Sequence, residues 1–440
     1  MKKILPFKGM LYNQDKITSM ADVVSPPYDV INADLQETLY AKSDYNFCRV
    51  DLTKETGDER YDIAGKRFEE WVAADVLKQD EEPAIYIHHH SFTLPNGKKV
   101  TRKGFFAARR IEDFSEGGIK PHEKTLDGPK ADRLNMTRAT ECNLSPVFSL
   151  YSDSDLQIDA KLERLVQTTA QLDFSTDEGH RHQLWKMKDK EVCGFIDQHL
   201  ADRPLFIADG HHRYETALNY RNETIEKQGE LSDSAASKFL LMYFSNMNDE
   251  GMVILPIHRA LHSLSNHDLP ALLEKLGEYF EVTEVKAEES EKNLAVLAEN
   301  TESEHRFWLL AKDGTSYLLS LSREKWLNSE IAKTIPETLV PLDVTVLHRL
   351  IFKEILGLSD EAQAKQENII YWKSTERALA ETTSGKCDVT FILNSTRIED
   401  MESVAMSGEK MPQKSTFFYP KIISGLVMHR VNAELVDGLV

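Results

Sequence analysis

The run Ala208-Asp209-Gly210-His211-His212-Arg213 follows the apolar stretch Leu205-Phe206-Ile207. At a junction between a strand and a helix, these residue types suit phosphate. The first N–H groups of a helix have no partner inside it, and the helix dipole favours an anion there. Gly210 permits a sharp turn and close approach of the backbone. Arg213 carries a planar fork of donors matched to phosphate oxygens. His211 or His212 could donate to phosphate or move a proton near neutral pH. Asp209 could accept a proton, orient a histidine or hold a magnesium ion. A plainer reading has Asp209 capping the helix and the histidines satisfied by backbone.

Other polar clusters could join this site. In the loop-like stretch that begins at Ile119, His122 and Glu123 stand side by side, and Arg133 follows. Glu123 could remove a proton from a substrate hydroxyl or bind a metal, and Arg133 could neutralise phosphate; the alternative is a solvated loop with local ion pairs. Near the C-terminal end, Lys414 precedes Phe417-Phe418-Tyr419 and Lys421 follows them. These two lysines could frame an anionic ligand, while Phe417 and Phe418 read as core. In SPPYDV, Tyr28 and Asp29 either reach the pocket or belong to a rigid turn set by two prolines. The P-loop, Rossmann, zinc-protease and nucleophile-elbow signatures are all absent.

The frame that must position these residues is long. At 440 residues it exceeds one ordinary hydrophobic core, and the composition suggests three segments, 1–110, 111–260 and 261–440. The formal charge of −19 argues against a nucleic-acid partner and against an anionic membrane surface. No apolar run is long enough for a membrane span, and the first residues lack a signal-peptide core, so a cytoplasmic protein is expected. Cys48, Cys142, Cys193 and Cys387 are scattered and form no CxxC, which suits four reduced thiols.

Apolar spacing predicts a helix over 58–79, then a hairpin through Asn96-Gly97. On its first strand, alternation sends His88 and His90 to one face and His89 to the other, so these three do not converge on a metal. Further strands are expected near 147, 369 and 389, with a second hairpin through Asp313-Gly314. The stretches 255–261 and 268–284 read as strand running into helix, and 284–300 as a charged surface helix. Helices and strands alternate without βαβ regularity, which predicts a mixed α+β fold.

Taken together, VVSPPYDVI, KPHEKTLDGPKADRL, NLSPVFSLY, IADGHHRYETAL, LPIHRAL and MPQKSTFFYPKIISGLV resemble the bacterial and archaeal DUF1015 family across almost the whole chain. The DGHHR stretch is also similar to a motif of the ParB and sulfiredoxin-like superfamily, which includes kinases of free L-serine. That resemblance implies a nucleotide-binding core in which Asp209, Gly210, His211, His212 and Arg213 meet phosphate or magnesium, with a glutamate as base, assigned here to Glu123. It implies magnesium with ATP or ADP and a small-molecule acceptor. Sulfiredoxin chemistry lacks its cysteine here, and the DNA-binding role of partition proteins lacks a basic module. The expected activity is therefore phosphoryl transfer to a hydroxyl, with free L-serine as the acceptor by analogy. A nucleotide or phosphoester hydrolase and a non-enzymatic nucleotide sensor are the alternatives. Oligomeric state is left open, a homodimer being one option.

Overall fold

The stretch FLLMYFSN at 239–246 is unbroken by charge, as a strand covered on both faces must be. In the computed structural model, which describes residues 2–125, 127–264, 268–299 and 301–435, it lies inside a nine-stranded sheet and every one of its residues is buried. The strands of this sheet are β1 (Ile4–Leu5), β2 (Ile85–Thr93), β3 (Lys99–Arg110), β4 (Ile119–Lys120), β5 (Val147–Tyr151), β6 (Leu172–Ser175), β7 (Arg181–Met187), β8 (Leu205–Asp209) and β9 (Phe239–Asn246). Their spatial order is β4-β8-β5-β9-β3-β2-β7-β6, with β1 beside β3. The β8–β4 and β9–β5 pairs are parallel and the others antiparallel, so the sheet is mixed.

Helices of the same unit include α1 (Glu59–Ala73), α2 (Asp127–Thr140), α3 (Gln157–Leu165), α4 (Lys190–Leu200) and α5 (His211–Gln228). One sheet face, with Ile87, Phe105, Val147, Trp185, Ile207 and Phe244, packs on Ile158 and Leu162 of α3, Ile196 and Leu200 of α4, and Tyr214 and Ala217 of α5. Burying each large apolar side chain there contributes about 1.5–3 kcal/mol. The pleat sends His88, His90, Arg102, His182 and Tyr243 to the opposite face, where all five are buried.

The chain divides into two compact units. The first is Met1–Pro121, Thr125–Val253 and Pro420–Val440; the second is His122–Lys124 and Ile254–Tyr419. Position 110, read from sequence as a boundary, ends β3 in the interior of the first unit's sheet, and β5, β8 and β9 from the following segment join that same sheet. The segment after Pro420 returns to the first unit.

The second unit holds a six-stranded antiparallel sheet: β10 (His258–Leu261), β11 (Glu281–Val285), β12 (Glu304–Ala311), β13 (Ser316–Ser322), β14 (Ile369–Trp372) and β15 (Val389–Leu393), in the order β11-β13-β12-β15-β10-β14. The Asp313-Gly314 hairpin forms as its sequence requires, with Gly314 at φ 87°. Two expectations are corrected here. After β10 no helix follows directly, and 268–284 runs helix-then-strand, α6 (Leu269–Gly277) preceding β11. The cause is local: Asp268 caps α6 through the Ala271 amide, and Pro270 suits a first helical turn.

Helices α1 and α2 meet at Gly65. A Cβ there would stand 2.3 Å from the Ala139 carbonyl oxygen. Gly→Ala inside a helix normally gains about 1 kcal/mol, whereas forced overpacking costs about 1–3 kcal/mol. Gly65→Ala should therefore lower the urea midpoint, while Gly194→Ala in α4, where a Cβ meets nothing within 4 Å, should not. A Gly65→Ala midpoint at or above that of the natural protein would show that the two helices do not approach this closely.

Candidate functional site

Strand β8 delivers the site with a defect in its register. Ile207 pairs with Ser149, but Asp209 pairs with the very next residue, Phe148, so Ala208 is an extra residue on this strand. Such a bulge re-aims the side chains that follow it. Gly210 then takes φ 95° and α5 begins at His211. The backbone angle favours glycine here; a Cβ would also lie 2.9 Å from Arg213 Nε, so that side chain would have to shift. Gly210 is the N-cap residue of α5.

Asp209 is instead held between two cations. Its Oδ1 lies 2.8 Å from Lys421 Nζ, and its Oδ2 accepts from Arg213 Nη2 one helical turn on. Lys421 also donates to Asp29, and Arg213 Nη1 donates to the Pro146 carbonyl. Burial acts to raise the Asp209 carboxyl, but the Lys421 and Arg213 charges override it and hold the group well below the usual carboxylate range. Burial likewise opposes the Lys421 charge, and Asp209 and Asp29 reverse that, raising the ammonium above its ordinary value. The side chain of Asp209 keeps 22 % exposure and that of Arg213 12 %, so the junction is reachable from solvent.

A second network adjoins the first. Arg133 Nη1 donates to Asp51 Oδ1 at 2.9 Å, its Nε donates to Asp132 Oδ2 at 2.8 Å, and its guanidinium lies 3.9 Å from the centre of the Tyr28 ring. Ser145 Oγ donates to Asp51 Oδ2 at 3.3 Å and meets Ser424 Oγ at 2.8 Å. Tyr28, Asp51, Arg133, Ser145, Arg213 and Thr216 line a cavity of about 40 Å³. That is room for a water or two, not for a nucleotide.

The first unit thus brings together Asp209, Gly210, His211, His212 and Arg213 with Lys421 and Asp29, and sets Arg133 nearby. The guanidinium groups of Arg213 and Arg133, expected to face phosphate, are engaged with protein carboxylates and a carbonyl. His122, Glu123 and Lys414 belong to the second unit. There Glu123 Oε1 accepts from the Lys414 amide at 3.1 Å, and His122 Nε2 lies 2.9 Å from Thr416 Oγ1. Phe418 is core as read from sequence, while Phe417 is half-buried beneath the Lys373 ammonium. Both oxygens of Asp209 are occupied, and among the described residues no group of three or more His, Cys, Asp or Glu side chains is disposed to hold a metal. Asp209 as it stands does not fit a magnesium ligand. Sequence reasoning gave no role to Asp51, Asp132, Ser145 or Ser424. The one usable signal was Asp51, a lone acid behind Phe47-Cys48-Arg49-Val50.

The chain matches the model of the family described as "Protein of unknown function (DUF1015)" over residues 4–345, and it belongs to that family. No curated protein matches it. Among solved structures it is similar to a conserved hypothetical protein from Pyrococcus furiosus, at 16% identity over 76% of this chain and 95% of that one, with a TM-score of 0.34. It is also similar to a free serine kinase in complex with AMP, at 15% identity over 71% and 86%, TM-score 0.34. A third is SbnI with a C-terminal truncation from Staphylococcus aureus, at 9% identity over 75% and 87%, TM-score 0.35. No described helix is long and apolar enough to cross a membrane.

Asp209→Asn removes the central charge and leaves both cations in place. It should lower stability at pH 7 by about 3 kcal/mol. The folded Asp209 carboxyl lies below its unfolded value, so its contribution is complete above about pH 4 and is lost as pH falls through the folded value. Urea midpoints of the two proteins should therefore differ most near neutrality and converge on acidification below about pH 4. Equal midpoints at pH 7 would show that these ion pairs do not hold the turn.

Proposed function

We propose that the first unit binds a nucleotide by its phosphates at Gly210–Arg213 and transfers a phosphoryl group to the hydroxyl of a small molecule. The single observation behind this reading is the junction itself: a bulged strand end, a left-handed Gly210, and a helix opening whose first amides lie outside the ladder of α5. Asp209, Lys421 and Arg213 are positioning residues in this reading. They fix the turn so that the amides of His211, His212 and Arg213 converge where phosphoryl oxygens gain charge.

In the transfer, the acceptor oxygen attacks the terminal phosphorus and the bond to the bridging oxygen breaks. That oxygen leaves on the nucleotide with its electron pair, and the hydroxyl proton passes to a base. His212 is assigned that role. It is half-buried on the first turn of α5, and a neutral imidazole can take a proton at pH 7. Free L-serine is the first acceptor to test, because the DGHHR stretch resembles the motif of a superfamily that contains kinases of that amino acid.

The test incubates the full chain with ATP or ADP, magnesium and L-serine, and follows phosphoserine by phosphorus NMR. Phosphoserine should form, and His212→Gln should lower kcat by about a hundredfold or more with little change in nucleotide affinity. A comparable loss in Glu123→Gln would move the base to Glu123. Phosphate release that ignores the acceptor would make the protein a hydrolase, and nucleotide binding without any product would make it a sensor; either result overturns the transferase reading.

A further inference from the structure

The second unit contains a cavity of its own. It measures about 260 Å³ and is lined by Lys124, Thr345, His348, Arg349, Asp360 and Lys410, with other residues around them. Three of these six are cationic and one is acidic. In a chain with a formal charge of −19, such a local excess runs against the overall balance and favours an anion. Asp360 does not cancel it alone, because it is shared between Arg349 at 3.4 Å and Lys353 at 2.7 Å. Arg259 adds to the positive field behind the wall. It is fully buried, its Nη2 donates to the Lys414 carbonyl at 2.9 Å, and its guanidinium stands 5.6 Å from the centre of the Tyr371 ring.

Two residues of the lining each carry a buried polar atom that has no hydrogen-bond partner among the described residues. The atoms are Thr345 Oγ1 and His348 Nε2, on residues 3 % and 6 % exposed. Such atoms occur elsewhere in both units, His88 Nδ1 and Trp308 Nε1 among them, but here two belong to residues lining one cavity. The His348 proton can be placed. Gln363 Nε2 donates to the Leu358 carbonyl at 2.9 Å, which turns Gln363 Oε1 toward His348 Nδ1 at 2.8 Å. Nδ1 therefore carries the hydrogen and Nε2 offers a lone pair. Burial, helped by the Arg259 charge, pushes His348 down to about 3, so it stays neutral and accepting at pH 7. His348 and Arg349 also sit in the π-helical segment Leu347–Ile355, a conformation found mostly at functional positions.

We infer that this cavity is a binding site for a small anion bearing a hydroxyl group, whose hydroxyl donates to His348 Nε2 and accepts from Thr345 Oγ1 while its phosphate or carboxylate faces Lys124, Arg349 and Lys410. A volume below the usual range for drug-sized ligands sets an upper limit of a few carbons plus the anionic group. The inference uses none of the residues of the Gly210–Arg213 junction and stands or falls apart from the proposed phosphoryl transfer.

The test titrates the full chain with four probes by calorimetry: glycerol 3-phosphate, glycerate, inorganic phosphate and glycerol. Glycerol 3-phosphate or glycerate should bind more tightly than inorganic phosphate, and glycerol should not bind. Which of the two binds better decides between phosphate and carboxylate. Thr345→Val is the informative variant, because it keeps the shape and removes an unpaired hydroxyl. It should raise the thermal midpoint of the empty protein and weaken the preferred probe about tenfold. His348→Gln should weaken the same probe, and a crystal soaked with it should show density against His348 and Thr345. Binding of neither anionic probe at millimolar concentration, or unchanged affinity in both variants, would overturn the inference.

Discussion

The first unit depends on one carboxylate held between two cations. Asp209 ends strand β8, Arg213 stands one helical turn beyond it, and Lys421 comes from the far end of the chain. Removing charge from water costs several kcal/mol per ion, and only close opposite charge and hydrogen bonds offset that. Here each Asp209 oxygen faces its own cation, and each cation has a second acceptor, Asp29 for Lys421 and the Pro146 carbonyl for Arg213. The arrangement therefore does two things at once. It pins a left-handed glycine at the start of α5, and it fastens the Pro420–Val440 segment back onto the unit that begins the chain.

The same economy governs the rest of the unit's buried charge. Arg133 is nearly inaccessible, yet it has Asp51, Asp132 and the Tyr28 ring around it. On the polar face of the sheet the solution differs. His88, His90 and His182 stack within that layer, and burial keeps all three pKa values low, His182 down to about 3. Neutral imidazoles there leave Arg102 as the charged member; its Nη2 lies 3.2 Å from His90 Nδ1 and it rests over the Phe148 ring. Burial pushes the thiols up in the same way, Cys193 to about 11, which makes it a poor nucleophile.

The second unit also leaves buried polar groups incompletely paired, as the first does at Arg102 and His88. Arg259 is buried against two carbonyls and an aromatic ring, without a hydrogen-bonded carboxylate among the described residues. Beside it, two residues lining the 260 Å³ cavity each keep a buried polar atom unpaired. Stable cores seldom tolerate that, and strained or unsatisfied groups tend to collect where a ligand completes them.

Much of the local structure was legible in the sequence because it rests on short-range rules. The Asn96-Gly97 and Asp313-Gly314 turns demand positive φ and form hairpins. Alternation alone placed His88 and His90 together, and the apolar run before Asp209 identified β8 and the helix after it. The 268–284 stretch was misread because an amphipathic run of that length fits either order of helix and strand until its Asp268 cap is recognised. What the sequence could not decide was partnership. Arg213 and Arg133 have the right donors for phosphate, but which acceptor a guanidinium meets depends in part on residues distant along the chain, Pro146 for Arg213 and Asp51 for Arg133. The grouping of 29, 209 and 421 in one unit, and of 123 and 414 in another, is likewise a result of how the sheets close, because ion pairs act through space and carry no periodic trace along the chain.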